Sequence, residues 1–246
     1  MLKEEQDAMG RAMWDHLHDR PAFEIVERDD GFFDVGGGPQ AYFALYDQWR
    51  SHEREAMRYA RGRVLDIGCG AGRHAIYLQE QGLDVLGIDV SPKAIQVAKA
   101  RGLKRAEVMS VTALSSRLGT FDTLLAMGNN FGLLASPSRA RWLLPRLARM
   151  TSEGGRFIAE TRDVYRTDKP EHLAYHALNR RRGRMPGQVR IRVRYMKYAT
   201  PWIDYLMVSK EELRDLLSGT PWRVHRFLDS EDTYIAVLEK GEAGRT

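Results

Sequence analysis

Nine residues, Val64-Leu65-Asp66-Ile67-Gly68-Cys69-Gly70-Ala71-Gly72, place an acid near the end of an apolar run and three glycines at alternate positions after it. Glycines so spaced let a loop bend sharply and let a ligand lie against bare backbone. A second acid, Asp89, closes the next apolar run, Val85 to Val90. An acid there is placed to accept hydrogen bonds from both hydroxyls of a ribose, so the two features together call for a nucleoside. The spacing is Gly-x-Gly-x-Gly with Arg73 following, not Gly-x-Gly-x-x-Gly, which disfavours NAD. Asp66 would repel a pyrophosphate but attract an ammonium group, which fits a nucleoside carrying a cationic amino acid.

The elements that must position these residues follow from the pattern around them. Short apolar runs (Val64 to Ile67, Val85 to Val90, Ala106 to Met109, Phe121 to Met127) alternate with helical stretches, the signature of βαβ units and a parallel sheet buried on both faces. Ser91-Pro92 and Ser136-Pro137 are helix starts, Gly102 closes the first of these helices, and Pro145 should kink or split the second. Arg156 to Thr161 is a fifth strand. Ser209 with Glu212 is a capping box opening a helix, and Trp222 to Phe227 and Tyr234 to Glu239 complete seven strands.

Before this core, Gln40 to Arg61 has largely helical spacing and is expected to form an amphipathic helix, with one more helix at about Glu4 to His18. Between the fifth strand and the capping box, Arg162 to Val208 is too long for a loop and reads as an insertion. Inside it Val189, Ile191, Val193 and Tyr195 alternate with Arg190, Arg192 and Arg194, and Trp202 to Val208 reads as a second strand after a turn at Thr200-Pro201. The expected organisation is a helical cap over 1–61, a Rossmann-like core over 62–161, a lid with an antiparallel hairpin over 162–208, and completion of the sheet over 209–240.

The run from Val64 to Leu78, with Gly87-Ile88-Asp89-Val90-Ser91-Pro92 after it, resembles motif I and the following acidic motif of the class I S-adenosylmethionine-dependent methyltransferases. The resemblance covers roughly Arg61 to Met150 and implies an α/β fold with a seven-stranded, mostly parallel sheet whose last strand is antiparallel. It also implies S-adenosyl-L-methionine as cofactor, with Gly68, Gly70 and Gly72 cradling the methionine part, Asp66 helping to hold its amino group and Asp89 binding the ribose. Cys69, Val90, Thr112, Ala113, Met127 and Tyr46 complete the candidate cofactor set. Thr112 stands where the family usually has an acid beside the adenine, so a hydroxyl or a backbone N–H would take that contact.

Methyl transfer from a sulfonium is an in-line displacement that needs alignment, exclusion of water and in some cases a base, but no metal. Acceptor groups belong at the carboxyl ends of the strands. Asn129 in Met127-Gly128-Asn129-Asn130-Phe131, and Arg162 and Tyr165 after the fifth strand, are the candidates for the catalytic step; an Asn-rich turn and an ion pair within the loop are the structural alternatives. Tyr42, Arg192 and Arg194 are candidate substrate contacts, although Tyr42 and Tyr46 equally suit a core. His74 and His176 are passed over as bases, because lone histidines are more often structural.

The 246 residues carry 38 Lys plus Arg against 33 Asp plus Glu, a net charge of +5, and the segment Arg180 to Lys197 supplies eight of the positive charges with no acid. Three uses fit that segment: a solvated edge, a lid selecting an anionic small molecule, or a surface tracking a phosphate backbone. A small-molecule acceptor ranks first, RNA second, and a protein that binds S-adenosylmethionine without transferring anything third. Cys69 is the sole cysteine, so no intrachain disulfide or cysteine-based zinc site is available, which suggests a cytoplasmic protein. No apolar run is long enough for a membrane helix, no signal peptide is evident, and nothing in the sequence sets the oligomeric state.

Overall fold

The computed structural model describes residues 2–241. Its first part comprises α1 (Ala8–Leu17), β1 (Ile25–Arg28), β2 (Phe33–Val35), α2 (Gln40–Phe43) and α3 (Ser51–Met57). Then follow β3 (Arg63–Ile67), α4 (Arg73–Glu80), β4 (Asp84–Asp89), α5 (Pro92–Ala100), β5 (Ala106–Val108), β6 (Phe121–Ala126), α6 (Pro137–Arg149) and β7 (Thr151–Arg162). The last part holds α7 (Pro170–Arg181), β8 (Gln188–Tyr195), β9 (Tyr198–Ala199), β10 (Ile203–Leu206), α8 (Lys210–Leu217), β11 (Trp222–Asp229) and β12 (Thr233–Lys240).

A seven-stranded sheet runs in the order β11-β12-β7-β6-β3-β4-β5. β3 to β7 are mutually parallel, while β12 is antiparallel to both its neighbours. Alternation along the strands explains why they read as unbroken apolar runs. Leu65, Leu124 and Phe157 enter the core on one face, and Val64, Leu125 and Ile158 the core on the other. Serine caps start the helices where the sequence places them: Ser91 Oγ accepts from Ala94 N–H, Ser136 Oγ from Arg139 N–H, and Ser209 and Glu212 form a reciprocal capping box. The strand order reverses at β3, between β4 and β6, which opens a crevice at the carboxyl ends of these strands.

A second, antiparallel sheet has the order β10-β8-β1-β2, with β9 added to β8. It draws β1 and β2 from the first part of the chain and β8 to β10 from the segment after β7. The sequence suggests a purely helical segment over 1–61, but it supplies two strands to a sheet completed by β8 (Ile25 pairs with Arg194). Three further expectations change. The Gln40 to Arg61 helix is broken, because Ala44 is extended and Tyr46–Gln48 is a short 3-10 turn. There the Trp49 indole, buried in the core, donates to Ala44 O at 2.8 Å. Side-chain hydrogen bonding and burial of Trp49 thus override the helical periodicity. Pro145 sits inside one continuous α6 rather than splitting it. The hairpin turns at Met196-Lys197 into β9 before the Thr200-Pro201 turn leads to β10, and α7 precedes it.

Candidate active site

The glycine loop joins β3 to α4 at the crevice. Gly68, Gly70 and Gly72 all have left-handed φ, at +74°, +53° and +82°. A Cβ on Gly68 would stand 2.6 Å from Asn130 Nδ2, whereas at Gly70 the nearest atoms are the flexible end of Met13, at 3.6 Å. Gly68 is thus glycine for packing and Gly70 for conformation and open space. Asp89, at the end of β4, accepts from Gly70 N–H at 3.0 Å through Oδ2 and from Ser91 N–H at 2.9 Å through Oδ1. Burial still pushes its carboxyl up, against those two N–H groups, and the charge of Asp7 adds to the rise.

Asp66 is almost fully buried beneath the loop. Burial, reinforced by the charge of Asp89 and opposed by Arg73 and the Ala75 N–H, pushes its carboxyl up to about 7. Arg73 opens α4, pairs with Glu53 at 2.8 Å, and is the cation whose charge reaches Asp66 and Tyr42.

The first part of the chain is fastened over this loop. Asp7 caps α1 through Gly10 N–H, and the same carboxylate accepts from Ser91 Oγ at 2.6 Å and Lys93 N–H at 2.9 Å, so one acid ties two helix starts together. Met13, Tyr42 and Ala71 share one apolar cluster. Arg101 donates to Ala71 O at 2.7 Å and to Tyr42 O and Phe43 O at 3.3 Å, clamping α2 to the loop. The Tyr42 hydroxyl in turn donates to Glu24 Oε1 at 3.2 Å, and the other oxygen of this buried carboxylate has no partner among the described residues. Burial raises Glu24 despite that hydrogen bond. Asp7, Met13, Glu24, Arg73 and Arg101 are not anticipated by the motif. Only Asp7, with Gly10 three residues on, carries even a local capping signal.

At the end of β6, Asn129 has φ +67° and uses its side chain to stitch strands together: its Oδ1 accepts from Arg162 N–H at 2.9 Å. Its carbonyl accepts from Tyr205 Oη at 2.5 Å, and its neighbour Asn130 donates to Gly68 O at 2.8 Å. Behind them Glu160 accepts from Gly128 N–H at 2.7 Å and lies 3.5 Å from His52. His74 lies 3.3 Å from Glu53, and burial holds its imidazole below the usual range. Both histidines sit in the wall behind the strand ends. In front of Asn129 a cavity of about 400 Å³ opens between the strand ends, α7 and the second sheet, lined by Asn129, Arg162, Tyr205, Val189, Ile191 and His176 among others.

Several sequence candidates are not brought to this place. Tyr165 donates to Glu212 Oε1 at 2.6 Å on the α8 capping box and does not line the cavity. Arg192 and Arg194 both pair with Glu27 on β1, at 2.5 and 2.6 Å. Since Val189 and Ile191 face the cavity, these arginines lie on the opposite face of β8. Tyr46 stacks on Tyr77 at 4.4 Å and packs against Trp49, partly buried at the edge of the core. The Cys69 side chain turns into the core, where a Cβ on Gly87 would stand 2.9 Å from its sulfur, and its N–H is taken by Ile88 O. Met127 is also core, while Val90, Thr112 and Ala113 are exposed at the ends of β4 and β5, on the Asp89 side of the crevice. The Arg162 side chain reaches the cavity but pairs with Asp232 at 2.9 Å.

A glycine loop, a strand-end acid and a reversal of strand order define the class I, Rossmann-like methyltransferase fold. Residues 64–155 match the family model described as "Methyltransferase domain", and this segment is similar to the class I S-adenosylmethionine-dependent methyltransferases. Its fold is that of a Bacteroides fragilis SAM-dependent methyltransferase crystallised with S-adenosyl-L-homocysteine (TM-score 0.83, 24% identity, 98% of both chains covered). In sequence it is similar to human glycine N-methyltransferase, with 30% identity over 120 residues, 41% of each chain. It is also similar to a glycine/sarcosine/dimethylglycine N-methyltransferase of Actinopolyspora halophila, with 24% identity over 223 residues, 81% of this chain and 40% of the relative. The chain spans between 23% and 57% of the length of the first curated relatives it matches. Among the described residues no cluster of metal-ligating side chains occurs, and no helix is long and apolar enough to cross a membrane.

Proposed function

We propose that the protein is an S-adenosylmethionine-dependent methyltransferase acting on an oxygen or nitrogen of a small molecule. The observation that carries this is Asp89, whose two carboxylate oxygens are fixed by Gly70 and Ser91 N–H groups beside an open glycine backbone. The residues fit the cofactor. Asp89 retains acceptor capacity for ribose hydroxyls, and Asp66, a buried acid without an ion pair among the described residues, suits an ammonium group. The bound cofactor would supply a methyl group on a sulfonium sulfur, open to in-line displacement.

The rest is done by the chain. Met13 and Tyr42, held by Asp7 and Arg101, cover the loop and exclude water, so residues 1–61 act as the cap and 62–161 as the cofactor-binding core. The 162–208 segment closes the acceptor side. A small acceptor agrees with a cleft of about 400 Å³ in front of Asn129. Two of the arginines that suggested RNA are shared by Glu27, and Arg182 pairs with Asp29, so the basic segment presents less free charge than its composition implies.

Calorimetric titration with S-adenosylhomocysteine and, separately, NADH tests the reading. Binding of the first at micromolar concentration, with none of the second, is expected. Absence of S-adenosylhomocysteine binding would overturn it.

A further inference from the structure

Resting on that methyltransferase reading, we propose that the cavity beneath the second sheet receives an uncharged, largely apolar acceptor bearing an O–H or N–H group, and that His176 accepts its proton. Position comes first. Asn129 lines the cavity, and the adjacent Asn130 holds Gly68 O of the glycine loop, so cavity and loop are one residue apart along β6's end.

The walls and the charges then decide the class of acceptor. Val26, Val164, Val189, Ile191 and Met207 make most of the surface apolar. The guanidinium groups that line it are already engaged. Arg162 pairs with Asp232 at 2.9 Å, Arg166 lies 3.6 Å from Asp163, and Arg28 pairs with Asp30 at 2.8 Å between the rings of Phe32 and Tyr175. Lys169 faces the same space as Asp34 and Asp168. Lys169 is the one lining cation with no ion pair among the described residues, and it is exposed to solvent, so a carboxylate or phosphate entering among the apolar walls would lose its hydration against a single solvated lysine, which is costly. A neutral ring or alkyl body loses nothing of the kind.

His172 and His176 stand one turn apart on the cavity side of α7. His172 Nδ1 is 3.1 Å from Thr167 Oγ1, and the Tyr175 hydroxyl between them donates to Asp29 at 2.6 Å. His176 is buried, lines the cavity, and has no hydrogen-bond partner among the described residues. The groups facing it are Arg180 and His172 on its own helix, Arg28 from β1, and the Tyr165 ring 6.1 Å away. Burial first, then the charges of Arg180, His172 and Arg28, hold its imidazole below the usual range, so it is neutral at pH 7. In the transfer the acceptor's lone pair forms the new bond to the methyl carbon. The carbon–sulfur bond breaks with its electron pair going to sulfur, which becomes a neutral thioether, and the acceptor's proton passes to a His176 ring nitrogen.

Ligand-observed NMR on the S-adenosylhomocysteine complex of the full chain, with 4-methylphenol, its methyl ether and 4-methylbenzoate as matched probes, tests this. The phenol should bind in the millimolar range and the benzoate at least about tenfold more weakly. Ile191→Trp and, independently, Val189→Phe should fill the cavity and abolish phenol binding while S-adenosylhomocysteine affinity, which also reports folding, stays within about twofold. His176→Phe should weaken the phenol by about fivefold or more and leave its methyl ether within about twofold, a contrast that a merely structural role would not produce. Benzoate binding as tight as the phenol's, phenol binding indifferent to either filling variant or to His176→Phe, or no phenol binding at about 10 mM would overturn the proposal. Failure of S-adenosylhomocysteine itself to bind would instead strike the reading on which it rests.

Discussion

The two sheets of this molecule use charge in opposite ways. At the carboxyl end of the seven-stranded sheet, the buried Asp66 and the half-buried Asp89 have no ion pair among the described residues, and Asp89 is held by backbone N–H groups. In the five-stranded sheet, Glu27 is gripped by Arg192 and Arg194, whose hydrogen bonds pull its carboxyl down to about 2. The acids that look unremarkable in composition are left open to a cationic, hydroxyl-bearing ligand. The arginines that dominate the composition are satisfied within the protein. Function is to be sought where charge is uncompensated, not where it is abundant.

Breaking the first region should have the larger consequences. Gly70→Val would force a β-branched residue into a left-handed conformation at φ +53° and put side-chain atoms into the open backbone surface. S-adenosylhomocysteine binding should fall by about a hundredfold or more, or about 2.7 kcal/mol, in a calorimetric titration. Asp89→Ala removes the proposed ribose acceptor and the acceptor of Gly70 N–H and Ser91 N–H. A loss of about tenfold or more, about 1.4 kcal/mol, is expected. Unchanged affinity in a folded Asp89→Ala protein would remove its ribose role.

The contrast also marks how far the sequence could be read. The glycine loop, Asp89, the serine caps and all seven strands of the first sheet are local signals, since each is written in residues within a turn or a strand of one another. The second sheet is not local. β1 pairs with β8, and Glu27 lies 165 residues before Arg192, so nothing near either residue announces the pair. Without Glu27, the Arg190, Arg192 and Arg194 alternation reads as a binding face. Trp49 misleads in another way: its spacing is helical, but its indole satisfies Ala44 O and stops the helix. His176 looks like any lone histidine until α7 and β8 are placed around one cavity.

Asp66 allows the comparison to be sharpened with pH. Its folded-state carboxyl is raised to about 7 by burial, with Asp89 adding and Arg73 opposing. In the free protein its contribution to stability is therefore fully present below the unfolded value near 4 and is lost as pH rises through about 7. A ligand ammonium favours the ionised form, so binding moves the other way. S-adenosylhomocysteine affinity should rise by up to about tenfold per pH unit on approaching pH 7 from below and level off above it. Asp66→Asn should flatten this rise between about pH 5 and 7, and a variant that keeps the wild-type profile would assign the titration to another group.

The smallest effect is expected in the second sheet, and its smallness is informative. Arg192→Ala removes a hydrogen-bonded partner of Glu27, but Arg194 remains at 2.6 Å from the same carboxylate and keeps it compensated. Arg192 also lies over the Trp202 ring at 4.6 Å, a contact on the side of β8 that does not line the cavity. S-adenosylhomocysteine affinity should stay within about twofold and the melting temperature within a few degrees, because Arg194 leaves the Glu27 carboxylate paired and the pair lies on the face away from the cavity. A large loss of affinity would mean that the arginine face reaches the cofactor after all, and the distinction between compensated and open charge would fail at its clearest point. A loss confined to the acceptor's affinity would place the arginine face, rather than the cavity behind it, in contact with the acceptor. The Arg192→Ala protein thus separates two roles that the alternation of Arg190, Arg192 and Arg194 left equal: a self-satisfied outer face and a lid over the site.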